Sequence, residues 1–324
     1  MKCGGCVDAT SLELGARGAF EKRPFRLVGA IHVVSRAGGH WNEWRAALDG
    51  GGEAWLAEAA GSYFWMREGA LASWESATPG ERLETHLVVI ERGEATRVRT
   101  TGDVEPLKEK YRYVDLSGPH GAFASVDWGD DPARTFVGRR VTLAELGLEP
   151  RAGERTFLRV KGHDFDPFVA PGATVTLGAT RFAVLGALGR SGHEKGDKKN
   201  RYRWEEYLLW HPKLGVRWLV LSDGHWSVAT PIDAGGVHEE DFRPLGEGVA
   251  RIDAAVGQFP WEVRVGQEAA TADWVRAPNL LSRETTDDEV AWSLLTYLEP
   301  KQAEDALGRS DLPKRHGRAP NQTK

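Results

Sequence analysis

The chain has 324 residues with 42 basic and 47 acidic side chains, for a formal net charge of −5. This balance excludes the overall basic excess of a nucleic-acid binder, or of a protein held on an anionic membrane by charge alone, though peripheral membrane association stays open. Two cysteines exclude a disulfide framework, and no apolar run approaches the roughly 18 residues that cross a bilayer. The opening residues carry no apolar core of signal-peptide length, so the expectation is a soluble, cytoplasmic protein with no transmembrane segment. The 38 glycines and 13 tryptophans beside two methionines point to strands joined by tight turns, and the length suggests about two domains.

In chain order, residues 1–13 contain Cys3-Gly4-Gly5-Cys6. This is the spacing with which one turn supplies two thiolates to a metal, zinc being the natural candidate. There is no second cysteine pair, and histidines such as His32 or His40 would have to complete a site. No other cofactor is expected. Residues 14–68 read as a β module. Gly18 to Phe20 and Phe25 to Val34 flank the turn Glu21–Pro24. Trp41 to Leu48, the turn Asp49–Gly52, Glu53 to Ala59 and Tyr63 to Arg67 follow. Residues 69–170 read as a β-rich connecting region. It holds a hairpin of Leu83 to Glu91 with Ala95 to Arg99 around Arg92-Gly93-Glu94, then strands at Tyr111–Leu116, Ala122–Trp128 and Arg134–Gly138, and one helical turn at Val141–Leu146.

Residues 171–233 repeat the first module. Trp204-Glu205-Glu206-Tyr207 matches Trp41-Asn42-Glu43-Trp44, and Trp218-Leu219 follows at the same separation as Trp55-Leu56. Phe182 to Leu188 matches Phe25 to Ile31, and the offset changes only across the charged insertion Ser191 to Asn200. Residues 234–311 read as strands at Gly248–Val256 and Trp261–Val265, then a helix. Thr286-Asp287-Asp288-Glu289 has the form of a capping box, and Val290, Leu294, Leu295 and Leu298 fall at helical spacing. Pro300 suits the first turn of a second short helix to Leu307. The polar residues 312–324 read as a disordered tail. The fold class is therefore mainly β: two related antiparallel modules, small barrels or curled sheets, joined by a β-rich segment, with short C-terminal helices.

Candidate site residues concentrate in the second copy. Adjacent Glu205 and Glu206 point to opposite faces of a strand and cannot form a facing acid pair. Trp204, Glu206 and Trp210 share one face, and Glu206 occupies the place of Glu43. A buried carboxylate bonded to tryptophan N–H groups and an acid or base in a cleft both fit it. His225, in Asp223-Gly224-His225-Trp226, has no counterpart in the first copy, and Tyr207, Trp210 and Trp226 are likewise peculiar to the second. Trp204, Glu206, Tyr207, Trp210, Trp218, His225 and Trp226 form a candidate face for a partner or a cationic ligand; the same tryptophans also suit a β core. There is no G-x-S-x-G, phosphate-cradling glycine loop or H-E-x-x-H, so no catalytic residue is expected.

The strings Trp41-Asn42-Glu43-Trp44 with Trp55-Leu56, and Trp204-Glu205-Glu206-Tyr207-Leu208-Leu209 with Trp218-Leu219 and Asp223-Gly224-His225-Trp226, resemble the two repeats of a bacterial family known only as domain-of-unknown-function family 4178. The likeness extends through Gly121 to Trp128, Phe136-Val137-Gly138, Phe259-Pro260-Trp261, Leu281 to Glu284 and Glu289 to Leu294. The resemblance implies no catalytic residues. It implies zinc-ribbon-like cysteine segments before each repeat, of which Cys3 and Cys6 match only one pair, and a setting near polyamine synthesis and envelope stress. The leading expectation is a non-catalytic protein-interaction or scaffold component of such a system. The alternatives are a protein that takes a polyamine-like cation in a Trp/Glu pocket and an enzyme built on His225.

Overall fold

A computed structural model describes residues 10–83, 86–129, 132–153, 155–160, 165–236 and 238–323. The glycine-punctuated first half forms β1 (Arg17–Phe20), β2 (Arg23–Ser35), β3 (His40–Leu48), β4 (Glu53–Ala59), β5 (Ser62–Glu68), β6 (Val88–Gly102), β7 (Lys110–Ser117), β8 (Ala122–Asp127) and β9 (Arg134–Val141). All neighbouring pairs are antiparallel, in the order β1-β2-β3-β4-β5-β9-β8-β7-β6, and a further β2–β6 pairing closes eight of them into a barrel. Closure removes the open edges that would otherwise template aggregation.

The second half forms β10 (Leu158–Arg159), β11 (Thr174–Leu177), β12 (Thr180–Glu194), β13 (Arg201–His211), β14 (Gly215–Ser222), β15 (His225–Pro231), β16 (Arg243–Phe259), β17 (Glu268–Arg276), β18 (Asn279–Thr285), β19 (Val290–Leu298) and helix α1 (Pro300–Leu307). The order is β10-β16-β17-β18-β19-β15-β14-β13-β12-β11, and β16–β12 closes the second eight-stranded barrel. The two barrels are related strand by strand. Val33 stands opposite Trp41 as Arg190 stands opposite Trp204, and Asp115 stands opposite Ser125 as Asp273 stands opposite Ser282.

Each strand puts alternate side chains inside and outside its barrel. In barrel one, Ile31, Val33, Trp55, Met66, Tyr111 and Tyr113 line the interior. Leu27, Trp44, Leu56, Tyr63 and Trp65 face outward and pack under Leu12, Phe20, Leu143 and Leu146. In barrel two, Leu188, Leu208, Trp210 and Phe259 fill the interior. Val184, Tyr207, Leu219 and Trp226 face out against Val169, Val175 and the α1 residues Ala303 and Ala306. The barrels touch through a bridge between Gly39 and Trp261, another between Glu91 and Glu289, and the ion pair of Arg140 with Asp233 at 2.7 Å.

Several expectations are corrected. In the segment read as a connecting region, β6 to β9 are the second half of barrel one and complete its wall, while β10 pairs with β16 of the second sheet. The hairpin expected around Arg92-Gly93-Glu94 is one continuous strand, β6, paired with β7 at one end and β2 at the other. At Gly93 a Cβ would come within 3.1–3.2 Å of the hydroxyl and ring of Tyr113, a contact tighter than side chains usually make. The helix expected from Val290 is strand β19, hydrogen-bonded to both β18 and β15. Thr286 does cap, but it caps a hairpin turn: its hydroxyl accepts from Glu289 N at 3.1 Å, while Thr286 N donates to Glu289 O at 2.9 Å. A capping box and this turn share one local bond pattern, and two strands with unpaired edges decide between them. Trp261 makes only a bridge, and the strand expected from it to Val265 does not form.

The helix at Pro300–Leu307 is present, with Glu299 and Gln302 forming a reciprocal capping box. The segment read as a disordered tail lies along barrel two. His316 N donates to Asp223 O at 2.8 Å, and buried Asn321 donates to Pro278 O at 3.3 Å and Leu295 O at 3.4 Å.

Candidate functional site

The seven residues singled out in the second copy do not converge on one pocket. Trp204, Glu206, Trp210 and Trp218 point into barrel two, while Tyr207 and Trp226 stack outside it at 5.9 Å between ring centres. His225 is buried at the rim, its Nδ1 3.0 Å from the Tyr297 hydroxyl. Inside, Glu206 accepts from Trp204 Nε1 at 2.6 Å and from Arg190 Nη1 at 3.0 and 3.1 Å. Arg190 also grips Glu284 at 2.8 and 3.0 Å. Burial pushes the Glu206 carboxyl up, but the guanidinium held by two carboxylates stays charged. This is a filled core in which one cation is shared by two carboxylates, with Trp218 against Phe259 and Trp261 in the rest of the interior.

Barrel one differs at the same level. Where barrel two has Arg190 opposite Ile252, barrel one has Val33 opposite Arg97, so the cation enters from the neighbouring strand. Arg97 Nη2 bonds Asp127 Oδ2 at 2.6 Å, both side chains buried, and its guanidinium lies 3.9 Å from the Tyr111 ring centre. Asp127 is the counterpart of Glu284, since Asp127 follows Ser125 at the spacing with which Glu284 follows Ser282. One extra carboxylate has no equivalent: Glu91 faces Asp115 across β6–β7, and the corresponding partner of Asp273 is Gly246.

A cavity of about 240 Å³ opens inside barrel one. Its carboxylates are Glu43, Glu91, Asp115 and Asp127, and Arg134 is its cationic lining residue. Glu43 accepts from Trp41 Nε1 at 3.0 Å and from the Tyr111 hydroxyl at 3.3 Å. The Tyr113 hydroxyl donates to Glu91. Burial, then the charge of Asp115, pushes Glu91 up to about 7. Burial likewise pushes Asp115 up to about 7, against a hydrogen bond from Ser125 that pulls it back. The rest of the wall is aromatic: Phe64 stacks on Phe123 at 4.1 Å, Trp41 meets the Tyr113 edge at 5.4 Å, and Trp55 meets Phe136 at 6.0 Å. Arg134 lies 4.9 Å from the Phe136 ring centre and 5.4 Å from that of Trp55.

Such a space suits a guest that carries positive charge on an apolar body. Ammonium groups find carboxylates to neutralise them and ring faces whose quadrupoles attract them, while methylene groups lie on the aromatic walls. The carboxyls near 7 let the empty cavity carry less negative charge than its residue count implies, and a cation would draw their protons off.

The open aromatic and acidic cavity lies in the first copy, whereas the residues singled out from sequence lie in the second. Glu43, Trp41 and Trp55 were legible as counterparts of Glu206, Trp204 and Trp218. Glu91, Tyr111, Tyr113 and Asp115 were not, because they fall in the segment read as a connector. A signal for them exists in Tyr111-Arg112-Tyr113-Val114-Asp115, where period two puts two tyrosines and a carboxylate on one face. Cys3 and Cys6 lie outside the described residues, as do His163 and Asp164.

The family model described as "Domain of unknown function (DUF4178)" matches residues 13–143 and 170–300. The first match spans β1 to β9 and the second β11 to β19, so each covers one barrel. No curated protein matches the chain, and no solved structure does.

Proposed function

Because the chain belongs to the family of the domain of unknown function DUF4178, matched twice along most of its length, we propose from the geometry of barrel one that it is a receptor for a small organic cation of the amine class. The observation that carries this reading is the cavity itself: four carboxylates in an aromatic-walled space, with Arg97 paired to Asp127 and Arg134 stacked on the wall. A linear diamine or polyamine fits this chemistry best, because Glu91 and Asp115 sit together on neighbouring strands while Glu43 approaches from β3. The function proposed is binding without chemical conversion. Among the described residues no helix is long and apolar enough to cross a membrane, and a cytoplasmic site of action is part of the proposal.

The test is calorimetric titration of the full chain with putrescine and spermidine, with the neutral diol 1,4-butanediol as control. The expected result is saturable binding of the amines in a one-to-one ratio, none of the diol, and loss of at least tenfold in affinity in Glu91→Gln. Amines that give no saturable heat and no change in thermal stability overturn the proposal.

A further inference from the structure

We propose, resting on the reading of barrel one as an amine receptor, that Arg134 is the specificity-determining residue of its lumen. Arg134 walls off the end remote from barrel two with a permanent positive charge, and so restricts the guest to a short diamine against longer, more highly charged polyamines.

Strand register places the charge. The barrels meet at Gly61, where a Cβ would come within 2.4 Å of the Gly215 Cα, and β5 runs from there to Glu68, opposite Phe136. Arg134, two residues before Phe136 on antiparallel β9, therefore stands at the far end of barrel one. Arg134 lies opposite Asp127, which lies opposite Tyr113. The next inward row is Phe136, Ser125, Asp115 and Glu91. Two residues of strand advance about 6.5 Å, so Arg134 leaves the backbone one such step beyond the carboxylates. On the other wall Glu43 lies opposite Ala57, one step inward of Trp55. The guanidinium lies across this level of the barrel, 5.4 Å from the Trp55 ring centre and 4.9 Å from that of Phe136. Its side chain is only 19% exposed, so it forms an end wall and does not trail into solvent.

The other guanidiniums near the lumen are closely matched by acids. Arg97 holds buried Asp127 at 2.6 Å, and Arg140, over Phe64 near the junction, holds Asp233 at 2.7 Å. Arg134 meets Glu68 at 3.4 Å, and that carboxylate is 66% exposed, so water screens it. A guanidinium does not give up its proton, so this charge is present at every working pH. The lumen is therefore polar along its axis, with carboxylates further in and a cation at the end. At bond lengths of about 1.5 Å the nitrogens of putrescine stand roughly 6 Å apart, and the outer nitrogens of spermidine roughly 11 Å. Putrescine stays on the carboxylate side, whereas an extended spermidine anchored there brings its far ammonium against Arg134. Like charges at about 4–6 Å disfavour each other by roughly 10-fold or more.

The experiment is calorimetric titration of the full chain with putrescine and with spermidine at pH 8 and one ionic strength. The wild type should bind putrescine at least tenfold more tightly than spermidine. The net charge of −5 alone favours the more highly charged amine, so this order is not what general electrostatics would give. Arg134→Gln should tighten spermidine binding at least tenfold and change putrescine binding less than about threefold, while Arg134→Lys, which keeps the charge, should keep the wild-type order. A merely structural role for Arg134 would instead weaken both amines together, and circular dichroism checks that each variant is folded. Spermidine bound by the wild type as tightly as putrescine overturns the inference and leaves the receptor reading standing, as does a preference that Arg134→Gln leaves unchanged. No saturable binding of either amine by the wild type overturns both.

Discussion

Binding of a diamine in barrel one should expel protons, and the number can be worked out. Glu91 and Asp115 both titrate near 7 in the empty protein, because burial disfavours their charged forms. An ammonium within about 4–6 Å lowers the proton affinity of a carboxylate by roughly 10- to 1000-fold. With a 100-fold drop at both, a diamine should displace about 1.6 protons at pH 6, about 1 at pH 7 and about 0.2 at pH 8. Apparent affinity should therefore rise roughly 80-fold from pH 6 to pH 8 if both carboxyls respond, and roughly tenfold if one does. The two groups face each other and titrate as a pair, so the total is the quantity to compare. The assay is calorimetric titration at each pH in buffers of different ionisation enthalpy; the slope of heat against that enthalpy counts the protons. Glu91→Gln with Asp115→Asn should flatten both the slope and the pH dependence. The sign for stability is the opposite. Carboxyls whose folded proton affinity exceeds the ordinary value stabilise the empty protein below about pH 4, and this contribution is lost as pH rises to about 7. Saturable binding with no proton release at pH 6 would refute the placement of the amine beside these two groups.

In barrel two, Arg190→Met should leave Glu206 and Glu284 without their shared cation and cost about 3–5 kcal/mol. Differential scanning calorimetry should show a melting point lower by roughly 10 °C, with amine binding in barrel one unchanged. An unchanged melting point would mean that the cluster is not the buried network described. Where the barrels meet, Gly61 has φ +80° and a Cβ there would overlap the Cα of Gly215. Gly61→Ala should destabilise by about 2–3 kcal/mol through the left-handed backbone and the lost close approach, read as a lower urea midpoint. A midpoint equal to that of the wild type would count against this contact.

Architecture was legible where sequence carries it locally. The Trp41/Trp55 and Trp204/Trp218 spacing marked the first strands of each barrel because those strands are joined by short hairpins, and inserting residues between them would break the register. The second halves were not legible as repeats. Their correspondence lives in pairing, Asp115 with Ser125 and Asp273 with Ser282, across loops of unequal length. The Val290–Leu298 segment was misread as helix because its apolar residues satisfy both periods over a short run, and only the edges of β18 and β15 decide the matter. The cavity of barrel one was not legible for a related reason. Glu206 and Trp204 look the more promising by density, yet Arg190, fourteen positions upstream of Trp204 and opposite it across the strands, fills their space. In barrel one that position is Val33, and the excess carboxylate Glu91 comes from a strand whose partner is far away in sequence.

The most direct measurement is a crystal structure of the full chain grown with putrescine at saturating concentration, at pH 8 where the carboxyls are ionised. The account predicts density for one diamine inside barrel one, with nitrogens within hydrogen-bond distance of Glu91 or Asp115 and of Glu43, and methylenes on Trp55, Phe64 and Phe123. A barrel-one lumen that holds only water at saturation, or a diamine seated in barrel two against Glu206, would contradict it.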